Sequence, residues 1–241
     1  LSLEDIASKE PDIKTIVHIA TDYARNGNYL DLLRADLMLP LELAQVFSKS
    51  LESFINTTTY YTDFGLRYEY LKEYILTKRH LLDWFRLFSS DKKLRFINMK
   101  LFHIYGPMDS PEKFTARVVE QLCKNVPQME FTEGKQKRDF IYVEDVASAY
   151  WSVINNLQRI EKNFLIIDVG TGREYSLRHF IRTAQKIARS SSQLCFGKVP
   201  YRAAEVMSSK ANPDFLKAIG WRPMYSLTQG LEKYISFLKD Q

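Results

Sequence analysis

A tyrosine and a lysine four residues apart are the side chains of this sequence best suited to acid–base chemistry. Tyr74 and Lys78 lie in a stretch of helical character, where this spacing places both on one face, able to act on the same atom. A fixed ammonium group favours the phenolate and lowers a pKa that is ~10 in free tyrosine. The pair is therefore predicted to move a proton to or from a substrate oxygen. Tyr68 and Lys72 repeat the spacing, and a core tyrosine with a solvated lysine is the structural alternative.

The elements around this pair follow the pattern of a parallel α/β sheet. Short apolar runs predict buried strands at 14–20, 53–59, 95–102 and 164–169. Helical patterns lie between the first three, at 29–49 and 69–88. This alternation is typical of a parallel sheet with right-handed crossovers. Ligands bind such sheets beyond the carboxyl ends of the strands, where Thr59 and His103 are predicted to lie.

Composition narrows the classes of partner. The chain has 241 residues and a net charge of +5, but its basic residues are interspersed with acidic ones, which favours an anionic small molecule over nucleic acid. No apolar run approaches the length of a membrane span, so we expect a cytoplasmic protein without a membrane partner. Cys123 and Cys195 are far apart and lack metal-ligand spacing, so we expect neither a disulfide nor a metal site.

Seven motifs, in order along the chain, resemble those of the extended short-chain dehydrogenases/reductases, in the branch of nucleotide-sugar epimerases, dehydratases and ketoreductases. They are His18-Ile19-Ala20, the hydroxyl cluster ending at Thr59, Tyr74-Ile75-Leu76-Thr77-Lys78, residues 100–107, residues 134–143, Arg202 with Glu205, and Gly220-Trp221-Arg222-Pro223. The small Thr77 before Lys78 favours this pair over Tyr68 and Lys72. Within the branch, residues 54–56, 113–115 and 136–140 are most similar to CDP-deoxysugar 4-ketoreductases of the paratose and abequose synthase type, enzymes of deoxysugar biosynthesis.

The resemblance implies roles for five residues near a nicotinamide. Tyr74 would give a proton to the sugar carbonyl as hydride arrives, and Lys78 would hold the nicotinamide ribose and lower the pKa of Tyr74. Thr59 would hydrogen-bond the same sugar oxygen, the alternative being a threonine that bonds its local backbone. His18 and Ala20 would lie beside the cofactor. NADP(H) is the expected cofactor, with NAD as the alternative.

The resemblance also implies a substrate site. Arg138 and Arg202 would clamp the pyrophosphate of a nucleotide sugar, with Glu205 in the same motif; the alternative is a pair of surface salt bridges. His103 stands where the family usually has asparagine, and it either donates a hydrogen bond to the substrate or is a satisfied buried histidine. Lys100 replaces an arginine of the family motif, which leaves any role there open. We expect a CDP-linked sugar and a homodimer.

The implied fold is a Rossmann-type parallel sheet with a smaller α+β substrate domain. The cofactor domain would comprise 1–106 and 139–170, and the substrate domain 107–138 and 171–241. None of the nine glycines forms the glycine-rich turn of a dinucleotide-binding fold. We therefore expect the natural protein to carry roughly fifty or more further residues before residue 1, with the first strands and that turn.

One candidate function is disfavoured at this point, and three remain open. A 4,6-dehydratase is disfavoured, because Tyr60 and Tyr61 follow Thr59 where such enzymes carry Asp-Glu. A 4-ketoreductase is the main prediction. A 4-epimerase uses the same tyrosine and lysine and is the alternative, and a redox-inactive nucleotide-sugar-binding or scaffold protein comes third.

Overall fold

A computed structural model describes residues 3–24, 27–67, 71–91 and 94–240. The chain divides into two compact units. Unit 1 is Leu1–Lys100 with Asn155–Ile167, and unit 2 is Leu101–Ile154 with Asp168–Gln241. The functional domain division predicted from the sequence rests on a different criterion and stays a prediction.

The secondary structure is as follows for the described ranges. The strands are β1 Thr15–His18, β2 Ser53–Thr59, β3 Arg95–Leu101, β4 His103–Tyr105, β5 Gln128–Phe131, β6 Lys137–Arg138, β7 Phe140–Tyr142, β8 Phe164–Val169, β9 Tyr175–Ser176, β10 Gln193–Phe196 and β11 Ser208–Ser209. The α-helices are α1 Leu3–Lys9, α2 Tyr29–Leu33, α3 Leu39–Val46, α4 Lys72–Asp91, α5 Phe114–Cys123, α6 Val143–Asn155, α7 Leu177–Ala188, α8 Asp214–Ala218 and α9 Leu227–Lys239. Short 3-10 turns cover Tyr60–Asp63, Gly65–Arg67 and Leu157–Arg159, and a π-helical turn covers Arg34–Met38.

The main sheet has the order β1-β2-β3-β8, and β1 runs parallel to β2 with Thr15 opposite Ser53 and His18 opposite Asn56. The four strands predicted from apolar runs are all present, with ends that differ by at most two residues. Apolar side chains on both faces of β2 and β3 are fully buried, as expected for a strand covered on both sides. The sheet is of the predicted Rossmann-like kind.

The helix predicted over 29–49 is interrupted. It consists of α2, the π turn and α3, and the Leu39 N–H donates to the Arg34 carbonyl five residues back. The physical reason is Pro40, which has no N–H to give to the carbonyl of Asp36 four residues earlier. A helix accommodates such a gap by a local widening of this kind. The helical pattern predicted over 29–49 is therefore present as a helix that contains one π-helical turn and ends at Val46.

Stacked phenylalanines fix α4 against the main sheet. The ring of Phe85 on α4 lies 4.2 Å from that of Phe96 and 4.7 Å from that of Phe54, measured between ring centroids. All three rings are fully buried. Such aromatic packing contributes burial and preferred ring geometry together. It holds the helix that carries Tyr74 and Lys78 in a defined position on the sheet.

Unit 2 is built from short strand pairs and three packed helices. β4 pairs with β7, β10 pairs with β5, and β6 lies between β11 and β9. Helices α5, α7 and α9 pack on one another around a core that includes Tyr105, Phe140 and Phe180. The sequence has helical patterns at 113–124, at 176–190 and from 226, and these three helices lie there. Several of the short strands have no counterpart in the sequence prediction.

Two further findings apply to the described ranges. Their helices include none that is both long and apolar enough to cross a membrane. Searched in the same ranges, histidine, cysteine and carboxylate side chains form no group of three that could hold a metal ion. Cys123 and Cys195 are both free thiols.

Candidate active site

The structure brings Tyr74 and Lys78 together on α4. Both are buried, and the Lys78 Nζ lies 5.6 Å from the centroid of the Tyr74 ring. Of the alternative pair, Tyr68 lies outside the described residues, so that part of the prediction is not addressed. Tyr74 and Lys78 are therefore neighbours on α4, as their spacing predicts.

An aspartate that sequence reasoning missed holds the lysine. The Asp36 carboxylate lies 2.7 Å from the Lys78 Nζ, and their side chains are 0% and 1% exposed. Asp36 belongs to the π turn, which packs against α4. Among the described residues it is the only carboxylate that reaches this ammonium group. The sequence signal was a single acidic residue in an otherwise apolar stretch, four positions before Pro40.

The loop after β1 joins the tyrosine to this ion pair. The Thr21 hydroxyl donates to the second Asp36 oxygen at 3.2 Å and also hydrogen-bonds the Tyr74 side chain. The ring of Tyr23 packs on that of Tyr74 with centroids 4.9 Å apart. A phenol, a hydroxyl, a carboxylate and an ammonium group thus lie together inside unit 1. Neither loop residue was singled out in the sequence.

The electrostatics of Tyr74 differ from the sequence expectation. Burial is the largest cause that raises the pKa of Tyr74 well above its ordinary value, and the nearby Tyr23 and Asp36 raise it further. Burial likewise lowers the pKa of Lys78, while Asp36 opposes that change. The net direction is opposite to the one expected from the lysine alone. The physical reason is burial of the phenol, which disfavours its charged form more than any neighbouring group favours it.

Three consecutive threonines end β2, and the structure distinguishes them. The Thr57 hydroxyl donates to the His18 carbonyl at 2.8 Å, and the Thr58 hydroxyl accepts from the Asn98 amide at 2.7 Å. Thr59 is partly exposed and accepts from the Tyr61 N–H at 3.4 Å. A hydroxyl that accepts one bond keeps its own proton for another partner. The local backbone contact considered as the alternative is present and leaves that donor role possible.

His18 lies inside the main sheet. Its Nδ1 lies 3.0 Å from the Asn56 side-chain oxygen and its Nε2 lies 3.1 Å from the Ala35 carbonyl. Burial lowers the pKa of this imidazole, which keeps it neutral near pH 7. Ala20 is exposed at the start of the loop. Both hydrogen bonds of the imidazole ring are made within the protein. The roles of His18 and Ala20 beside a cofactor stay predictions.

Arg138, in unit 2, is buried and makes three hydrogen bonds. One Nη lies 2.7 Å from the Glu205 carboxylate, and the other donates to the Val206 and Lys137 carbonyls at 2.5 and 2.8 Å. The side chains of the ion pair are 4% and 12% exposed. This is a buried salt bridge, which neither sequence alternative described. Arg202 is exposed, and its carbonyl accepts from the Glu205 N–H at 3.2 Å.

His103 is partly buried, with its ring edge-on to Phe140 at a centroid distance of 5.2 Å. Burial, and then the charges of Arg138 and Lys113, lower its pKa to about 3. The imidazole is therefore neutral at physiological pH. It can exchange hydrogen bonds with a ligand but cannot attract a phosphate by charge.

Asp139 organises the loop that carries Gly170 and Gly172, a role the sequence analysis did not foresee. Its carboxylate accepts from the Thr171 hydroxyl at 2.7 Å and from the backbone N–H groups of Thr171, Gly172 and Ala211 at 2.9, 2.8 and 3.2 Å. A Cβ on Gly170 would lie 2.9 Å from this carboxylate, so the contact requires glycine there. The Gly-Thr-Gly sequence thus has a structural explanation.

Comparison with known proteins decides the family. The model of the NAD dependent epimerase/dehydratase family matches residues 2–170. The chain belongs to this family. A CDP-abequose synthase from Salmonella muenchen is 32% identical over 237 residues, 97% of this chain and 80% of the relative. A CDP-abequose synthase from Salmonella typhimurium is 33% identical over 227 residues, 92% of this chain and 76% of the relative.

Solved structures agree on the fold. A UDP-glucose 4-epimerase from Thermotoga maritima, determined with UDP-glucose, has a TM-score of 0.82 at 20% identity and covers 98% of this chain and 80% of its own. RMD from Pseudomonas aeruginosa, determined with NADPH, has a TM-score of 0.81 at 20% identity, and the match covers 99% of this chain and 85% of its own. At these identities the likeness establishes the Rossmann-like fold alone.

The residues of unit 1 fit the nicotinamide cofactor that the family implies. The Lys78 ammonium group has three N–H donors and one carboxylate partner, which leaves donors for hydroxyl groups of a ligand. Tyr74, one helical turn away, keeps its phenolic proton. A buried ammonium group with unused donors is unusual outside functional sites.

Proposed function

We propose that this protein reduces the 4-keto group of a nucleotide-linked deoxysugar, with NADPH as reductant and a CDP-linked sugar as substrate. The observation that carries the proposal is the identity of 32% and 33% to two CDP-abequose synthases over nearly the whole chain. The choice of NADPH over NADH and of CDP over other carriers rests on this resemblance.

The residues of unit 1 support a reduction. A bound reduced nicotinamide would supply the hydride. Tyr74 donates the proton to the sugar C4 oxygen, a task for which its raised pKa keeps it protonated. Lys78 holds the cofactor ribose through its remaining N–H donors, and the Thr59 hydroxyl donates to the same C4 oxygen and stabilises its developing charge.

The residues of unit 2 support nucleotide-sugar binding with a division of labour between the two arginines. Arg138 is buried with Glu205 and fixes the backbone of residues 205–206. Arg202 is exposed, and we assign the pyrophosphate contact to its guanidinium. His103 is neutral and would contribute hydrogen bonds only.

A homodimer in the cytoplasm is part of the proposal. Leu76, Trp84 and Leu87 lie on one face of α4 and are 38%, 47% and 61% exposed. An apolar helix face of this kind is typical of a surface that another protein molecule covers. A second copy of this chain is the proposed partner, and light scattering of the wild type and of W84E would show whether a dimer depends on this face.

The first experiment is calorimetric titration with NADPH, NADH and the CDP, dTDP, UDP and GDP nucleotides, followed by turnover with a CDP-linked 4-keto deoxysugar. We expect NADPH and CDP to bind best and the keto sugar to be reduced. Binding of a nucleotide with no binding of either dinucleotide, after a check for co-purified cofactor, would favour the binding or scaffold protein. Interconversion of 4-hydroxyl sugars without net consumption of NADPH would favour the 4-epimerase.

A further inference from the structure

One carbonyl group of the π turn lacks its helical hydrogen bonds. In an α-helix the Leu39 N–H would donate to the Ala35 carbonyl, but here it donates to the Arg34 carbonyl. The wider π spacing would pair the Ala35 carbonyl with residue 40, and Pro40 has no N–H. The Ala35 carbonyl therefore needs a donor from outside the helix.

His18 is placed to be that donor. Its Nε2 lies 3.1 Å from the Ala35 oxygen, and the residue is 4% exposed. A carbonyl oxygen can only accept, so this contact requires a proton on Nε2. His18 is the last residue of β1, so the bond joins the main sheet to the π turn.

Two asparagines hold the other side of the imidazole ring. The His18 Nδ1 lies 3.0 Å from the Asn56 side chain, which lies 3.0 Å from the side chain of Asn98. Asn98 in turn contacts the Thr58 hydroxyl at 2.7 Å. These three partners, on β2 and β3, are at most 2% exposed. An asparagine amide has an oxygen at one end and an NH₂ group at the other, so the chain can meet Nδ1 with an acceptor or a donor.

This polar chain occupies one part of an otherwise apolar sheet face. Phe54 and Phe96, two residues before Asn56 and Asn98, point to the same face of β2 and β3 and pack on each other. Polar side chains replace apolar ones only towards the carboxyl ends of the strands, the edge at which ligands bind such sheets. Buried polar side chains need every partner in place, so the chain fixes the ring of His18 more strictly than apolar packing would.

We propose that His18 is a positioning residue, which holds the π turn in place through the Ala35 carbonyl. The π turn packs against α4, and its Asp36 carboxylate lies 2.7 Å from the Lys78 Nζ. His18 thus acts on the lysine through the backbone of the turn. Its effect on the cofactor rests on the proposed function, in which Lys78 holds the ribose of NADPH. The hydrogen bond itself does not depend on that function.

The hydrogen bond is tested by ¹⁵N NMR of the imidazole rings in the full wild-type chain, with His18 assigned from the backbone of β1. We expect its Nε2 to carry a proton that exchanges slowly with water. The exposed His80 is the internal control, and its ring protons should be lost by rapid exchange. A neutral His18 ring with its proton on Nδ1, or an Nε2 proton that exchanges as fast as that of His80, would overturn the proposal.

A pair of variants separates the two sides of the ring. The side-chain nitrogen of glutamine lies about as far from the backbone as Nε2, and that of asparagine about as far as Nδ1. H18Q can therefore keep the bond to Ala35, whereas H18N cannot. We expect the KM for NADPH to rise about tenfold in H18N, with a smaller change in kcat, and H18Q to recover most of that rise. H80N is the matched control and should leave both constants unchanged. An equal rise of KM in H18N and H18Q would contradict the proposal.

A third measurement does not depend on turnover. P40A supplies an N–H at position 40, so the Ala35 carbonyl no longer depends on the imidazole. We expect H18N to lower the Tm in the wild-type background by more than it does in the P40A background. Equal losses of Tm in the two backgrounds would overturn the proposal. Because neither the NMR spectrum nor this cycle uses the reaction, failure of the inference is distinguished from failure of the proposed function.

Discussion

Two buried ion pairs among the described residues have the same length and different surroundings. Lys78–Asp36 in unit 1 and Arg138–Glu205 in unit 2 both join nitrogen to oxygen at 2.7 Å. The Arg138 guanidinium also donates to two backbone carbonyls, whereas the Lys78 ammonium group keeps donors that no other described side chain accepts. A buried charge that is hydrogen-bonded to the backbone is fixed in place, whereas one with spare donors is available to a ligand.

The largest effect should follow from the tyrosine beside the first pair. Y74F removes the proton donor while it keeps the buried ring against Tyr23. We expect turnover to fall by about 10²- to 10⁴-fold, the usual contribution of a general acid, with unchanged thermal unfolding. Steady-state kinetics of Y74F measure this, and Y29F, at an exposed tyrosine, is the matched control. Wild-type turnover in Y74F would remove Tyr74 from the reaction.

Variants of the second pair, Arg138–Glu205, should change the free energy of unfolding. E205L leaves the Arg138 charge buried without its partner, and we expect the free energy of unfolding to fall by about 3 kcal/mol or more. Denaturant unfolding measures this loss. The double variant R138M/E205L removes both charges and should recover most of the stability. Equal stability of E205L and wild type would show that this pair does not support the fold.

The sequence predictions agree with the structure for features that depend on neighbouring residues in the chain. The seven residues of β2 form the strand predicted at 53–59, because an apolar run between two sheet neighbours has few alternatives. Tyr74 and Lys78 were found because helical spacing alone brings them together. Asp36 was not found from the sequence, because its burial depends on a π turn and on packing against a helix that begins 36 residues later. Long-range packing of this kind leaves little local signal.

The second unit shows the same limit. Arg138 and Arg202 look alike in the sequence, yet one is buried and the other exposed. Their difference depends on where residues 205–206 lie, which no local pattern encodes. The two-residue strands β6, β9 and β11 are likewise too short to produce an alternating pattern of side chains.

The burial of His103 should also be visible in acid stability. Folded His103 stays neutral down to pH about 3, whereas the unfolded chain takes up this proton near pH ~6.5. The unfolded state therefore binds more protons between these values, and stability falls as the pH falls below ~6.5. At pH ~5 the loss is roughly 2 kcal/mol. H103N should remove that loss in denaturant unfolding at pH ~7 and ~5.

The control for this experiment is H80N, at an exposed histidine on α4. It should keep the wild-type difference in stability between the two pH values. An H103N variant with the full acid sensitivity of the wild type would show that His103 is not the group responsible.

The smallest expected effect separates the two arginines. R202A should weaken nucleotide binding by about tenfold, the loss of one charge-assisted contact, with no change in stability. Calorimetric titration with CDP measures the affinity. R117A changes an exposed arginine on α5 and is the matched control. Unaltered affinity in R202A would return this residue to the surface salt-bridge interpretation.

The most direct test of the account is hydride transfer to the sugar itself. The protein is incubated with a CDP-linked 4-keto deoxysugar and NADPH that carries deuterium at the transferred position, and the product is analysed by NMR. The account predicts one NADPH consumed per sugar and deuterium at C4 of a single stereoisomer. No consumption of NADPH, with a 4-hydroxyl sugar nucleotide instead converted to its C4 epimer, would contradict it.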